Sequence, residues 1–320
     1  MTIESESQLR ALIPAPLDKI KLKILRGLER HSMHIIEVAS LAVFSCNDAL
    51  VLVRRGEMTV IDEHTLRIHD PAGHLRDGEN VGGLVMVAGI QETLRVNGHA
   101  TARDGEHVTV EVHEVFLQCP KAFVRSKLWA PETWTWKEES PPPDMSSFVE
   151  ASPFAIVGTR GADDRGDVSP RGDPVGSFVR RLDDGTLLLP DRTGNHLVDT
   201  LRNVLHRPSL GAVFLLPGCA DVLRVETRAR ITADKDLLAP SAVKGKAPKV
   251  GLVLDVLHAE VLRGVLAGFW DPSTLVDPKE FPTFGEMMLD QVNPGGKLVN
   301  KIGAKIFDLG SEIHKRRYLY

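Results

Sequence analysis

The chain has 320 residues, 42% of them hydrophobic and 26% charged, with a formal net charge of −4 at neutral pH. That length accommodates two domains of ordinary size, and that charge gives no global attraction to nucleic acid or to an anionic membrane. No apolar run reaches the ~18–20 residues needed to cross a bilayer; the acidic, polar Met1-Thr2-Ile3-Glu4-Ser5-Glu6 is unlike the basic start and apolar stretch of a signal peptide, and Cys46, Cys119 and Cys219 are not closely paired.

The expectation is a cytoplasmic protein with no nucleic-acid or membrane partner. In chain order, residues 1–34 read as an N-terminal helical segment, because Ile20, Ile24 and Leu28 recur at helical spacing after Pro14 and Pro16. Residues 35–136 turn to short β runs, among them Ala49-Leu50-Val51-Leu52-Val53, Gly83-Leu84-Val85-Met86-Val87 and Val108-Thr109-Val110-Glu111-Val112, divided by Gly- and Asp-rich turns. Residues 137–147 contain Pro141-Pro142-Pro143 and read as an extended linker. Residues 148–275 repeat the β pattern, and residues 276–320 form a tail whose Leu298, Ile302, Ile306, Leu309 and Ile313 line one side of a predicted helix. Short strands with few long helices predict a mainly β fold, two small β-barrels with flanking helices.

The two β stretches resemble each other. Thr93-Leu94-Arg95-Val96 recurs as Val222-Leu223-Arg224-Val225 at an offset of 129, and Thr65-Leu66 to Asp70 recurs as Thr186-Leu187 to Asp191 at 121. Leu128-Trp129-Ala130-Pro131 recurs as Phe269-Trp270-Asp271-Pro272 at 141. Three landmarks in one order, with gaps that fit changes of loop length, point to one module occurring twice.

The copies differ in complementary places. The second carries Pro190-Asp191-Arg192-Thr193-Gly194-Asn195 and then Leu197, Leu201, Val204 and Leu205 at helical spacing. A strand there delivers a basic turn to a helix start, which is a seat for phosphate. Arg192 and Arg202 are placed to add charge-assisted hydrogen bonds, and Arg171, between Pro170 and Gly172, sits on a constrained turn. The first copy has His69-Asp70-Pro71-Ala72-Gly73 instead, and from Gly73 to Leu94 is 21 positions where Gly194 to Leu223 is 29, a loss of about two helical turns. Conversely, only the first copy has Lys121, Arg125 and Trp129 at i, i+4, i+8, a stripe suited to an anion with an indole beside it. Adding 141 puts Leu262, Leu266 and Trp270 in the second copy.

These segments resemble the FMN-binding split-barrel proteins related to pyridoxamine 5'-phosphate oxidase, in a branch of probable FMN-dependent enzymes. The resemblance rests on Ser169 to Phe178, Pro190 to Asn203, Leu216 to Val225, Glu92 to Ala100, Val110 to Trp129 and Phe281 to Gln291. Members are typically homodimers with FMN at the subunit interface. The resemblance therefore implies such a dimer fused into one chain, able to stand as a monomer with further self-association open, holding one FMN for an oxidoreductase reaction on a small molecule. It implies a cofactor site of Ser169, Arg171, Gly172, Asp191, Arg192, Thr193, Asn195 and Arg202 from the second copy with Lys121, Arg125 and Trp129 from the first. It names no catalytic residue and no metal. A non-catalytic FMN- or haem-binding carrier or sensor is the alternative, and the resemblance leaves a deazaflavin in place of FMN open.

Overall fold

The structure is a computed structural model, and it describes residues 1–15, 24–46, 49–118, 120–134, 136, 144–183, 185–192, 198–293, 300, 303–305 and 308. The expected tail helix lies almost wholly outside these residues.

The chain opens with β1 (Thr2–Ile3) and α1 (Glu6–Leu12), and α2 (Arg30–Glu37) leads into the first sheet. That sheet contains β2 (Leu41–Cys46), β3 (Ala49–Arg54), β4 (Met58–Asp62), β5 (Thr65–His69), β6 (Asn80–Met86), β7 (Thr93–Asp104) and β8 (His107–Gln118). After α3 (Lys121–Ser126), α4 (Met145–Ala151) leads into the second sheet. Its strands are β9 (Phe154–Arg160), β10 (Gly166–Gly172), β11 (Arg180–Arg181), β12 (Thr186–Asp191), β13 (Ser209–Leu215), β14 (Val222–Thr232) and β15 (Val250–Leu262). Three helices remain: α5 (Asp199–His206) between β12 and β13, α6 (Lys235–Leu238) between β14 and β15, and α7 (Phe284–Val292) near the end.

Both sheets run in the same order, β3-β2-β6-β7-β8-β5-β4 in the first and β10-β9-β13-β14-β15-β12-β11 in the second. Their registers also agree. Thr93 pairs with Gln118 and Val222 with Leu262, while Thr65 pairs with Glu111 and Thr186 with Asp255. A bulge interrupts β7 after Asn97 and β14 after Glu226, again 129 apart. The fold is mainly β, and two curled sheets of one order fit two tandem split-barrel modules.

The reason for the strands is visible in their burial. Along β14 buried and exposed residues alternate, as a sheet with one face on a core requires. Each sheet wraps its own core, around Phe44, Leu66 and Val110 in the first and Phe148, Phe214 and Leu252 in the second. A third core fills the seam between them, where Leu41, Leu84 and Phe123 meet Phe154, Ile156 and Val213. Contact across the seam is close enough that a Cβ on Gly82 would lie 2.4 Å from the Gly166 carbonyl oxygen. The chain ends cross over: β1 pairs with β14 of the second sheet, and α7 places Met287 in the first core.

Two sequence expectations shift here. The helical segment expected over 1–34 falls partly outside the described residues, at 16–23, and beyond them it is not helical up to α2, because Leu25 bridges to Val115 and Leu28 donates to the Glu63 carbonyl. The described helix is α2, whose Glu29 cap accepts from the backbone of His31 and Ser32. The spacing that set Lys121 against Leu262 is also displaced, since strand register sets Gln118 against Leu262. Trp129 and Trp270 remain equivalent, their indole nitrogens donating to the carbonyls of Ile90 and Cys219 at 2.8 and 2.6 Å. The first half thus has eleven steps from Gln118 to Trp129 where the second has eight from Leu262 to Trp270, and α3 occupies that extra length.

Candidate functional site

A cavity of about 460 Å³ opens where α3 of the first half faces β10, β12 and α5 of the second. That size suits a cofactor or drug-sized ligand. Two further segments complete the wall: Leu12-Ile13-Pro14 after α1, and Lys246 to Val250 at the start of β15. The Lys249 ammonium, donating to the Leu12 carbonyl at 3.4 Å, ties these two together. The second segment exists because β14 and β15 are joined by a long excursion through α6. Their counterparts β7 and β8 are joined by a tight turn, Asp104 pairing with His107 around Gly105 at φ 59.

Six cationic side chains line the cavity, Lys121, Arg125, Arg171, Arg192, Lys246 and Lys249, against three carboxylates, Asp167, Asp191 and Asp199. Phe116, Ala122, Val198 and Pro248 add apolar wall. An excess of positive charge beside an apolar surface fits a ligand with an anionic end and a flat hydrophobic body.

Of the sequence-predicted residues, Ser169, Arg171, Asp191, Arg192, Lys121 and Arg125 converge on this cavity. They do not all play the expected part. Arg192 is buried; its Nε donates to Asp173, and its Nη2 donates to the carbonyls of Ser177 at 3.2 Å and Ser241 at 2.7 Å. The Arg125 Nε donates to the Gly172 carbonyl at 3.0 Å and lies 3.3 Å from Asp173. Both arginines therefore brace the wall around one buried carboxylate. Arg171 is less committed, with Nη1 donating to Ser169 Oγ at 3.0 Å and Nη2 3.8 Å from Asp191. It is the guanidinium best placed to meet an anion.

Gly172 does not line the cavity but is required beside it. A Cβ there would lie 2.5 Å from the Ala122 carbonyl oxygen, so glycine lets α3 rest against β10. Trp129 is a correction: it does not reach the cavity. The helix stops at Ser126 because Lys127 turns left-handed at φ 53, which carries Trp129 into the seam against Phe123 and Phe269. Arg202 is also outside the lining, on the exposed side of α5 paired with Asp199. Thr193 and Asn195 lie outside the described residues. In the first half, the stretch between β5 and β6 makes turns and contains no helix.

Sequence reasoning missed Asp167, Asp199, Thr200 and Gln118, together with the two outer segments. Asp167 is held from the other half: Arg95 of β7 donates to its carboxylate and to the Val168 carbonyl, and the Thr200 hydroxyl donates to its second oxygen at 2.8 Å. Burial pushes the Asp191 carboxyl up, against the pull of Arg171, Arg125 and Arg192. Burial, reinforced by Asp167, does the same to Asp199 against Arg202.

Residues 141–262 match the family model described as pyridoxamine 5'-phosphate oxidase. That match places the second half of the chain, from the linker to the end of β15, in the pyridoxamine 5'-phosphate oxidase-like family. No curated protein matches the sequence. Among solved structures, HupZ of Group A Streptococcus is similar at 16% identity and a TM-score of 0.33, over 39% of this chain and 95% of that one. A Clostridium acetobutylicum protein related to general stress protein 26 is similar at 15% identity, TM-score 0.28, over 37% and 84%. An FMN-binding protein of Syntrophomonas wolfei is similar at 15%, TM-score 0.27, over 36% and 79%.

Proposed function

We propose that this chain is an FMN-binding flavoprotein, an FMN-dependent oxidoreductase acting on a small molecule, that holds one FMN in the cavity between its two halves. The observation that carries this reading is the convergence of Lys121 and Arg125 from the first half with Arg171 and Arg192 from the second on one cavity with an apolar wall. Arg171 and Lys121 would take the phosphate, with Arg125 and Arg192 fixing the wall through Asp173. Phe116, Val198 and Pro248 would face the ring system and exclude water from it. When bound, the flavin supplies the electron or hydride transfer. The protein supplies orientation, charge and shelter from solvent.

The matching strand orders and registers support reading the chain as a dimer of this fold fused in tandem, so that a single chain completes a site by itself. At the register-equivalent place on the other side, Val51 and Val53 stand where Ser169 and Arg171 stand here. Neither valine can hold a phosphate, which supports one flavin per chain. A thermal-shift titration tests the reading, because a ligand that binds only the folded chain raises its melting temperature by mass action. A yellow protein stabilised by FMN supports it. A colourless protein unmoved by FMN would overturn it.

A further inference from the structure

One polar atom in the cavity wall is unaccounted for. Gln118 closes β8 and lines the cavity, and its Oε1 is buried without a hydrogen-bond partner among the described residues. A buried amide oxygen left unpaired costs stability, so, among the described residues, either the fold demands it or a ligand completes it.

The other half of the molecule decides between these. Gln118 pairs with Thr93 across β7 and β8, and at the same register position Leu262 pairs with Val222 across β14 and β15. Leu262 packs against the seam core, so an apolar side chain satisfies the fold at that position. The strand end has no need of an amide. Phe116, two residues earlier on the same strand and so on the same face, supplies apolar wall. The amide thus accompanies the ring-facing surface of the site.

We propose that Gln118 is a specificity-determining residue that pairs with an imide edge, a ring N–H flanked by carbonyls, on the bound ligand. This rests on the flavin reading above and deepens it. A carboxamide presents one acceptor and one donor side by side, and it complements the N3–H and adjacent carbonyl of an isoalloxazine in two hydrogen bonds. Which end of the amide carries oxygen is immaterial, because the imide offers a carbonyl on both sides of its N–H. A porphyrin has no such edge, and a ring methylated at N3 loses the donor.

The test combines Gln118→Leu, which installs the residue found at the equivalent position, with FMN and 3-methyl-FMN as probes. Wild type should bind FMN about tenfold more tightly than 3-methyl-FMN, the loss expected for one buried hydrogen bond. Gln118→Leu, which removes both hydrogen bonds, should bind FMN at least about tenfold more weakly than wild type and no longer distinguish the two flavins. Its ligand-free melting temperature should equal or exceed that of wild type, since an unpaired buried amide has been removed. Equal preference for FMN in both proteins would overturn the role of Gln118 while leaving the flavin site standing. A lower ligand-free melting temperature with unchanged discrimination would make Gln118 a structural residue. Absence of flavin binding in wild type would overturn both.

Discussion

Arg95 and Arg224 occupy the same place in their two sheets and do opposite work. Opposite Arg224 on the neighbouring strand stands Glu260, and the pair closes within its own sheet on a partly exposed face. Opposite Arg95 stands Phe116, which offers no charge. Arg95 therefore passes over the Phe116 ring, 5.9 Å from its centre, and crosses the seam to the buried Asp167. One substitution on the facing strand separates an ordinary surface pair from a latch between halves. That latch reaches the cavity, since Asp167 lines it and also receives the hydroxyl of Thr200 at the start of α5.

The largest effect that would break this comparison is on stability. Arg95→Ala leaves Asp167 buried without its cation and should cost about 3–5 kcal/mol, whereas Arg224→Ala should cost about 1 kcal/mol or less. Equal losses in urea denaturation would remove the distinction. Gly172→Ala is next. Its Cβ would press on the Ala122 carbonyl, and a loss of about 1–3 kcal/mol follows from overpacking. FMN affinity should fall with it as α3 is pushed off β10. The equivalent position in the first sheet is Arg54, where a long side chain is accommodated, exposed and paired with Glu57.

Binding gives the smaller effects. Arg171→Ala should weaken FMN about tenfold or more, as loss of a charge-assisted contact implies, with ligand-free stability nearly unchanged. Val53→Ala, at its counterpart in the first core, should cost stability through the cavity it leaves but should not change FMN affinity. Asp191 and Asp199, pushed up by burial, set a pH dependence. Their folded forms hold protons more tightly than the unfolded chain does. The stability they contribute is complete below the usual carboxylate range and lost as pH rises through their raised values. An anionic ligand favours the same protonated forms, so FMN affinity should weaken across that window. Asp191→Asn should flatten the profile relative to wild type at matched pH, which cancels the phosphate's own titration. Smallest of all is Arg202→Ala, a partly exposed pair with Asp199, which should change stability by about 1 kcal/mol or less.

Much of this was legible in the sequence. The offsets of 121 and 129 are those of the strand registers, and turn glycines with alternating apolar residues placed most strands. Six of the eleven expected site residues reached one cavity. Trp129 was misplaced because helical spacing was carried past Lys127, whose left-handed backbone leaves no mark in an apolar pattern. Arg202 was misplaced because one turn of helix orientation separates a ligand-facing arginine from a solvent-facing one. The Arg95–Asp167 latch joins residues 72 apart, and the wall at Lys246 to Val250 comes from an irregular excursion; neither has a periodic signature. The growth of the offset from 129 to 141 did mark an insertion between β14 and the second tryptophan landmark, without saying that it would border the cavity.

The central claim is that the two halves share one site. Purified protein saturated with FMN, freed of excess ligand and assayed for flavin against chain concentration, tests it most directly. One flavin per chain is predicted. Two per chain would show that the valine-lined counterpart also binds, and none would show that the shared cavity serves another ligand.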